Sequence, residues 1–391
     1  MMQQIYMDYG ASTPVDPQVL EAMLPYFGQL YGNPASTHHH GRLAGQGLDQ
    51  ARRTVADLLN ARPGEIIFTG CGSESDNLAL RGVMWAARAT GRGNHLITCI
   101  TEHKAVLGTA EQLRDQFGFD LTVLPVDAYG CIDLDELQAA IRPDTVLISI
   151  MAANNEIGTL HPFQAMGEIA RSHGVLFHTD AIQAAAVAPL DMARLPVDLL
   201  SIAPHKFYGP KGVGILYARQ GVELIAALTG GSQEDGRRAG TSNVAFAVAA
   251  AEALRLAVAR REENLAHYTS LRDRLIEGVL AALPAGAQLT GHPTQRLPHH
   301  ASFAFQHVNG NDLLIQLDLA GISASSGSAC ASGSPKPSPI LEALGLDASW
   351  TLGGLRLTVG RQNSLADVDR VLAVLPQAVA RLRAFTQQFA A

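Results

Sequence analysis

Residues 175–212 read VLFHTDAIQAAAVAPLDMARLPVDLLSIAPHKFYGPKG, and this stretch decides the fold. Its two apolar runs, 175–178 and 199–202, are too short for helices and have the composition of buried strands. The first leads into Thr179-Asp180 and the second into His205-Lys206, so a carboxylate and an amine fall at two strand ends. Ligands of open α/β sheets bind at such ends.

Working outward, runs of the same kind recur at 65–68, 95–100, 121–126, 145–151 and 213–217, separated by longer helical patterns. That rhythm predicts an α/β fold with a mainly parallel seven-stranded sheet covered by helices. Asp16-Pro17 offers an N-cap followed by Pro at the first helical position, and 133–141 and 162–171 fit short amphipathic crossovers. From 241 to about 283 the chain is Ala-rich and helical, with Arg260-Arg261-Glu262-Glu263 in the middle, which places a boundary near Arg260. The expected division is a large domain over 15–260 and a smaller α+β domain from 1–14 and 261–391. The smaller domain should hold strands at 301–306 and 355–359, a helix at 309–319 and a terminal helix from Ser364. Residues 323–339, rich in Ser, Gly, Pro and Ala, read as a mobile loop.

Composition limits the function. With 391 residues, 47% of them hydrophobic and 17% charged, the chain can bury a sizeable core. A net charge of -7 is the wrong sign for a general phosphate-backbone binder, which argues against nucleic acid. No apolar run approaches the ~20 residues that span a bilayer, and residues 1–10 carry no basic leader, so a cytoplasmic protein is expected. Four widely separated cysteines, Cys71, Cys99, Cys131 and Cys330, form no zinc-type pair and no disulfide framework.

Lys206 in a crevice would have its ammonium destabilised by desolvation, freeing the amine for Schiff-base chemistry; the alternative is a surface lysine before a Gly-Pro turn. Asp180 at the neighbouring strand end needs a cationic partner such as a pyridinium nitrogen, unless it only caps a helix. Thr69-Gly70-Cys71-Gly72-Ser73-Glu74-Ser75-Asp76 reads as a Gly-rich turn opening a helix. Ser73 and Asp76 form a capping pattern, and the helix start is suited to phosphate or is an ordinary one. Cys71 reads as small and structural, and Cys99 as core. Cys330 is flanked by Ser, Gly and Ala too small to bury it, which favours a reactive thiol. Asn154-Asn155-Glu156 and Arg356 offer an amide and a guanidinium able to clamp a carboxylate. His38-His39-His40 reads as a loop and not as a metal site, because three consecutive histidines cannot face one ion.

Together these residues resemble the class V, pyridoxal-phosphate-dependent cysteine desulfurases of the iron-sulfur cluster and nitrogenase maturation type. The matching segments run nearly end to end: 6–14 (YMDYGASTP), 32–36 (GNPAS), 73–77, 101–107 (TEHKAVL), 154–158 (NNEIG), 178–183, 205–212, 238–241 (RAGT) and 325–330. The resemblance implies the fold-type I aminotransferase architecture and pyridoxal 5'-phosphate as cofactor. It implies that Lys206 binds the cofactor covalently, Asp180 pairs with its ring nitrogen, Gln183 bonds its hydroxyl and His103 stacks on the ring. Gly72, Ser73 and His205 would hold the phosphate, with Thr241 reaching it from the second subunit of a homodimer. Asn155 and Arg356 would orient the carboxylate of L-cysteine, and Cys330 would accept the sulfur as a persulfide, leaving alanine. A sulfur-acceptor protein, such as an iron-sulfur scaffold, is the implied partner. Selenocysteine lyase or aminotransferase activity on the same fold is the alternative. Two departures stand out against the resemblance: Ala203-Pro204 replaces the usual Ser-Gly, removing one phosphate hydroxyl, and Lys336 stands where a Glu is common.

Overall fold

The computed structural model describes residues 4–326 and 337–390. After a two-residue strand β1 (Ile5–Tyr6) come the seven strands of the principal sheet. These are β2 (Ile66–Thr69), β3 (His95–Cys99), β4 (Asp120–Leu124), β5 (Thr145–Ser149), β6 (Leu176–Asp180), β7 (Leu199–Ile202) and β8 (Gly214–Ala218). Their order is β2-β8-β7-β6-β5-β3-β4, and β8 alone runs against its neighbours. The expected mainly parallel seven-stranded α/β sheet is therefore present.

Alternation along these strands explains why they are buried on both faces. Ile66, Phe68, Ile97, Cys99 and Ile148 point into one core, whereas Ile67, Leu96, Leu147 and Leu216 point into another, beneath Leu80, Val83 and Met84 of the helix Gly72–Ala89. Cys99 is thus a core residue. Because six of the seven strands run the same way, Thr69, Cys99, Ser149, Asp180 and Ile202 all end at one edge of the sheet. Asp180 pairs with Ser201, so the chain leaves β6 and β7 at the same level and the turn Pro204–Lys206 follows at once.

A further core lies around β9 (Ala287–Leu289), β10 (His300–Phe305) and β12 (Gly354–Thr358), an antiparallel sheet in the order β12-β10-β9. The helices Arg261–Ala282 and Leu365–Ala390 cover it, and Ile5 and Met7 pack into it. Strand β11 (Ile322–Ser323) pairs with β1. Two-residue strands leave no period in sequence, and neither was expected.

Three local expectations need correction. The single helical run over 241–283 is two helices, Val244–Ala259 and Arg261–Ala282, broken at Arg260, whose guanidinium reaches Asp16 at 3.3 Å. His39 and His40 are not loop: they start the helix His39–Leu58, and His38 caps it by accepting from Gly41 N at 3.2 Å. Residues 323–339 are not loop throughout. Ser323 belongs to β11, Ser325 pairs with Arg356 through its backbone, and Ser338 caps the helix Pro339–Ala343. Asp16 does cap the helix Pro17–Met23, accepting from Gln18 N at 2.9 Å. Among the described residues no helix is long and apolar enough to cross a membrane.

Candidate active site

At the carboxyl edge of the principal sheet lies a cavity of about 310 Å³. Gly72, Ser73, His103, Asn155, Asp180, Gln183, His205, Lys206 and Arg356 all line it. Nine of the eleven residues singled out from sequence are thereby brought together. Thr241 is not among them: it lines a separate cavity of about 190 Å³ with Gly70, Arg238 and Phe246. Cys330 lies outside the described residues.

The helix Gly72–Ala89 starts two residues earlier than the Ser73-to-Asp76 capping pattern predicts, since Ser73 as cap would place the first helical residue at Glu74. Cys71 takes the cap position without a side-chain bond and lines the cavity exposed, so it is no buried structural thiol. The shift turns Asp76 inward, where it is fully buried with His178 Nε2 3.7 Å away. Burial, and then the charge of Asp180, push its carboxyl well above the usual range. Glu74 takes over at the turn, accepting from Gly70 N at 2.7 Å and pairing with Arg238 at 2.7 Å. A Cβ at Gly72 would stand 2.3 Å from Ile182 Cδ1 and 3.2 Å from Ala203 Cβ, so a larger residue would have to push the Ile182 side chain aside. The result is a helix start opening onto the cavity with its free N–H groups and positive dipole end, beside the Ser73 hydroxyl.

Lys206 Nζ donates to the carbonyls of Gly10 and Ala11, both at 2.8 Å. Burial, assisted by the nearby Arg356 cation, pushes its pKa down to about 8, against the opposing pull of Asp180 and Asp8. Asp180 accepts from Ile182 N at 2.8 Å, and burial raises it to about 6 although that bond and Lys206 act to lower it. It caps a turn and not a helix. Beneath it His178 is held neutral by burial, with Nδ1 2.8 Å from the Ser149 hydroxyl and Nε2 3.0 Å from that of Ser201.

Burial and neighbouring cations act against protonation of the histidines that flank the cavity. His103 caps the helix Lys104–Phe117 by accepting from Ala105 N at 3.1 Å, and burial followed by Lys206 lowers its pKa. His205 is lowered to about 4, again by burial and then by Lys206. Gln183 donates to Gly10 O at 3.0 Å. Arg356, on β12, is buried. Its Nη1 donates to the backbone oxygen of Asn155 at 2.7 Å, and its Nη2 pairs with Asp8 at 2.9 Å. The sheet core supplies Lys206 and Asp180, and the second core supplies Arg356, so the cavity lies between them.

Sequence reasoning missed three acids. Asp76 reads there as no more than part of a cap. Glu102 is buried beside His103, accepts from Met151 N at 2.6 Å, and is raised by burial to about 8. Asp8 lies within the quoted segment 6–14 but carried no assigned role; a lone acid beside a short strand gives no period to read. Burial pushes Asp76, Glu102 and Asp180 all towards the neutral acid, and of the three only Asp180 has the Lys206 cation acting to lower it.

Residues 5–371 match the family described as aminotransferase class-V. The protein named cysteine desulfurase IscS from Methanosarcina thermophila is 49% identical over 379 residues, which cover 97% of this chain and 93% of that protein. A solved structure described as a NifS-like protein superposes with a TM-score of 0.90 at 36% identity, covering 97% of this chain and all of its own. Another, described as SspA in complex with cysteine, superposes with a TM-score of 0.79 at 34% identity over 91% of this chain and 98% of its own.

Proposed function

The chain belongs to the aminotransferase class-V family, and from that premise we propose that it is a cysteine desulfurase converting L-cysteine to L-alanine and passing the sulfur on as a persulfide. The fold is the fold-type I architecture of that family. The observation that carries the reading is the convergence of Lys206, Asp180 and Arg356 on one cavity.

The donor set fits pyridoxal 5'-phosphate. Asp180 is the one carboxylate lining the cavity among the described residues and needs a cation, Lys206 offers an amine of lowered pKa, and a glycine helix start offers N–H groups to an anion. Gly72, Ser73 and His205 would hold the phosphate, Asp180 the ring nitrogen and Gln183 the hydroxyl, with His103 as a further ring contact. When bound, this cofactor supplies an aldehyde that captures amines and a ring that takes up an electron pair from the substrate carbon. Lys206 Nζ, poised near neutral pH, can both take and give a proton at that carbon. Arg356 and Asn155 would anchor the substrate carboxylate. Cys330, as thiolate, would attack the substrate sulfur, so that the carbon–sulfur bond breaks and a sulfur–sulfur bond forms on the enzyme. Ser325, whose backbone N–H and C=O both pair with Arg356, stands five residues before Cys330, a span of at most ~18 Å when extended.

Residues 15–260 would then form the cofactor-binding domain, with 1–14 and 261–391 as the smaller one. A homodimer accords with Thr241 lying away from the cavity of its own chain. It accords too with the exposed Leu20, Leu24, Phe27 and Tyr31, a band continuous through Phe27 and Phe246 with the Thr241 cavity. The product persulfide would pass, in the cytoplasm, to a sulfur-acceptor protein such as an iron-sulfur scaffold.

The test is to incubate the cofactor-loaded protein with L-cysteine and a thiol reductant and quantify alanine and sulfide. Equimolar release, lost in Lys206→Ala and in Cys330→Ala, is expected. Formation of a keto acid, or alanine release undiminished in Cys330→Ala, would overturn the reading.

A further inference from the structure

Two cations, Lys206 and Arg356, line the cavity, and Asp180 is its one lining carboxylate among the described residues. If Asp180 serves the cofactor ring, Arg356 needs another counter-ion. A buried guanidinium left unpaired is strongly destabilising. Asp8 is that counter-ion, its Oδ1 2.9 Å from Arg356 Nη2. The acid is fixed by its own backbone: its carbonyl accepts from Tyr6 Oη and Ala11 N, both at 3.0 Å, and it bridges to Thr358 at the end of β12. On the guanidinium, Nη1 is taken by Asn155 O, while Nε is buried and has no hydrogen-bond partner among the described residues. Arg356 therefore rests with its charge compensated on one side and an unsatisfied donor on another.

We propose that Asp8 is a positioning and selectivity residue of the carboxylate site, aiming Arg356 and compensating its charge so that an incoming carboxylate must share the guanidinium. A simple carboxylic acid gains little from such a shared cation. An amino acid has its amine as a second anchor elsewhere in the cavity and still binds. Asp8 would thus keep the many amine-free carboxylates of a cell out of a site that must take an amino acid. The proposal rests on the reading of Arg356 as the substrate-carboxylate anchor.

Propionate is the probe, titrated calorimetrically into the cofactor-loaded protein. Asp8→Asn should bind it about tenfold more tightly than the parent, the size of one charge-assisted bond regained at a buried guanidinium. Asp8→Glu, with the charge kept, should stay within about threefold of the parent, and Arg356→Gln should abolish binding. Asp8→Ser is a second neutral variant should Asp8→Asn fail to fold, with thermal melts as the check. Propionate binding that survives Arg356→Gln would refute the anchor reading itself. If Arg356→Gln abolishes binding but the neutral Asp8 variants bind propionate no better than the parent, or not at all, the role of Asp8 is overturned. A packing defect at residue 8 would weaken binding and could not produce the expected gain.

Discussion

Lys206 shows how far burial outweighs local hydrogen bonding. Its ammonium has two carbonyl acceptors at 2.8 Å, yet burial and the Arg356 cation bring its pKa down to about 8. Only the neutral amine attacks an aldehyde, so the apoprotein should capture pyridoxal phosphate at a rate that rises with pH and is half-maximal near 8. Absorbance-monitored capture across roughly pH 6.5 to 9.5, a range bracketing that value, measures this. A rate still climbing towards the ordinary lysine value of 10.5 would show that the reacting amine is exposed. Lys206 and Asp180 were legible in the sequence because each follows an apolar run that can only be a buried strand. Asp76 was not, since which way it faces depends on whether the helix begins at Gly72 or, with Ser73 as cap, at Glu74, a boundary that sequence leaves open by two residues. Glu102 was equally hidden, because a buried acid is stabilised by neighbours such as Met151 N that come from another strand end.

The helix Gly72–Ala89 joins the cavity to the sheet, and its first residue tests that role. Gly72→Ala would press a methyl against Ile182 Cδ1 and displace either the helix start or Ile182. Apoprotein carrying this change should bind pyridoxal phosphate about tenfold more weakly, the order expected when an anion gives up one well-aimed N–H donor. Ile182→Val removes the Cδ1 carbon, so the double variant should recover most of the affinity in an equilibrium titration. Unchanged binding in Gly72→Ala alone would mean that Ile182 yields to the methyl, so that the glycine is not what sets the helix start. At this scale the sequence was informative wherever a strand is buried on both faces, since an uninterrupted apolar run survives any error in phase. It failed for β1 and β11, too short to show a period, and for the continuous helix expected over 241–283. There the break falls at Arg260, whose guanidinium reaches Asp16, an acid from the far end of the chain.

That long-range acid belongs to a clamp across the two cores. Asp16 accepts from Arg361 at 2.8 Å and from Arg260 at 3.3 Å, and against the upward pull of burial the Gln18 amide and Arg361 hold its carboxyl below the usual range. Arg361 also lies with its guanidinium carbon 3.4 Å from the Tyr208 ring centroid, and its backbone N–H donates to Tyr208 Oη at 2.7 Å. Tyr208, two residues after Lys206, has φ +68, a left-handed conformation costing ~1–3 kcal/mol that persists only where surrounding contacts over-determine it. Thr13 Oγ1, accepting from Tyr208 N at 2.6 Å, and Arg361 provide those contacts. The pairing was not legible, because Asp16 reads as a helix cap, Arg260 as part of a boundary charge cluster and Arg361 as nothing at all until the fold brings them together. The clamp holds the core that bears Arg356 against the core that bears Lys206, so loosening it should separate substrate binding from cofactor binding. Arg361→Gln should leave the affinity for pyridoxal phosphate within about twofold of the parent, since every residue assigned to the cofactor within one chain belongs to the sheet core. The KM for L-cysteine should rise about three- to tenfold, because Arg356 no longer stands at a fixed distance from Lys206. Cofactor titration and steady-state alanine release on the same preparation measure the two quantities. Equal weakening of both would place Tyr208 strain, transmitted directly to Lys206, ahead of the clamp as the cause, and no change in either would reduce the clamp to a surface ion pair.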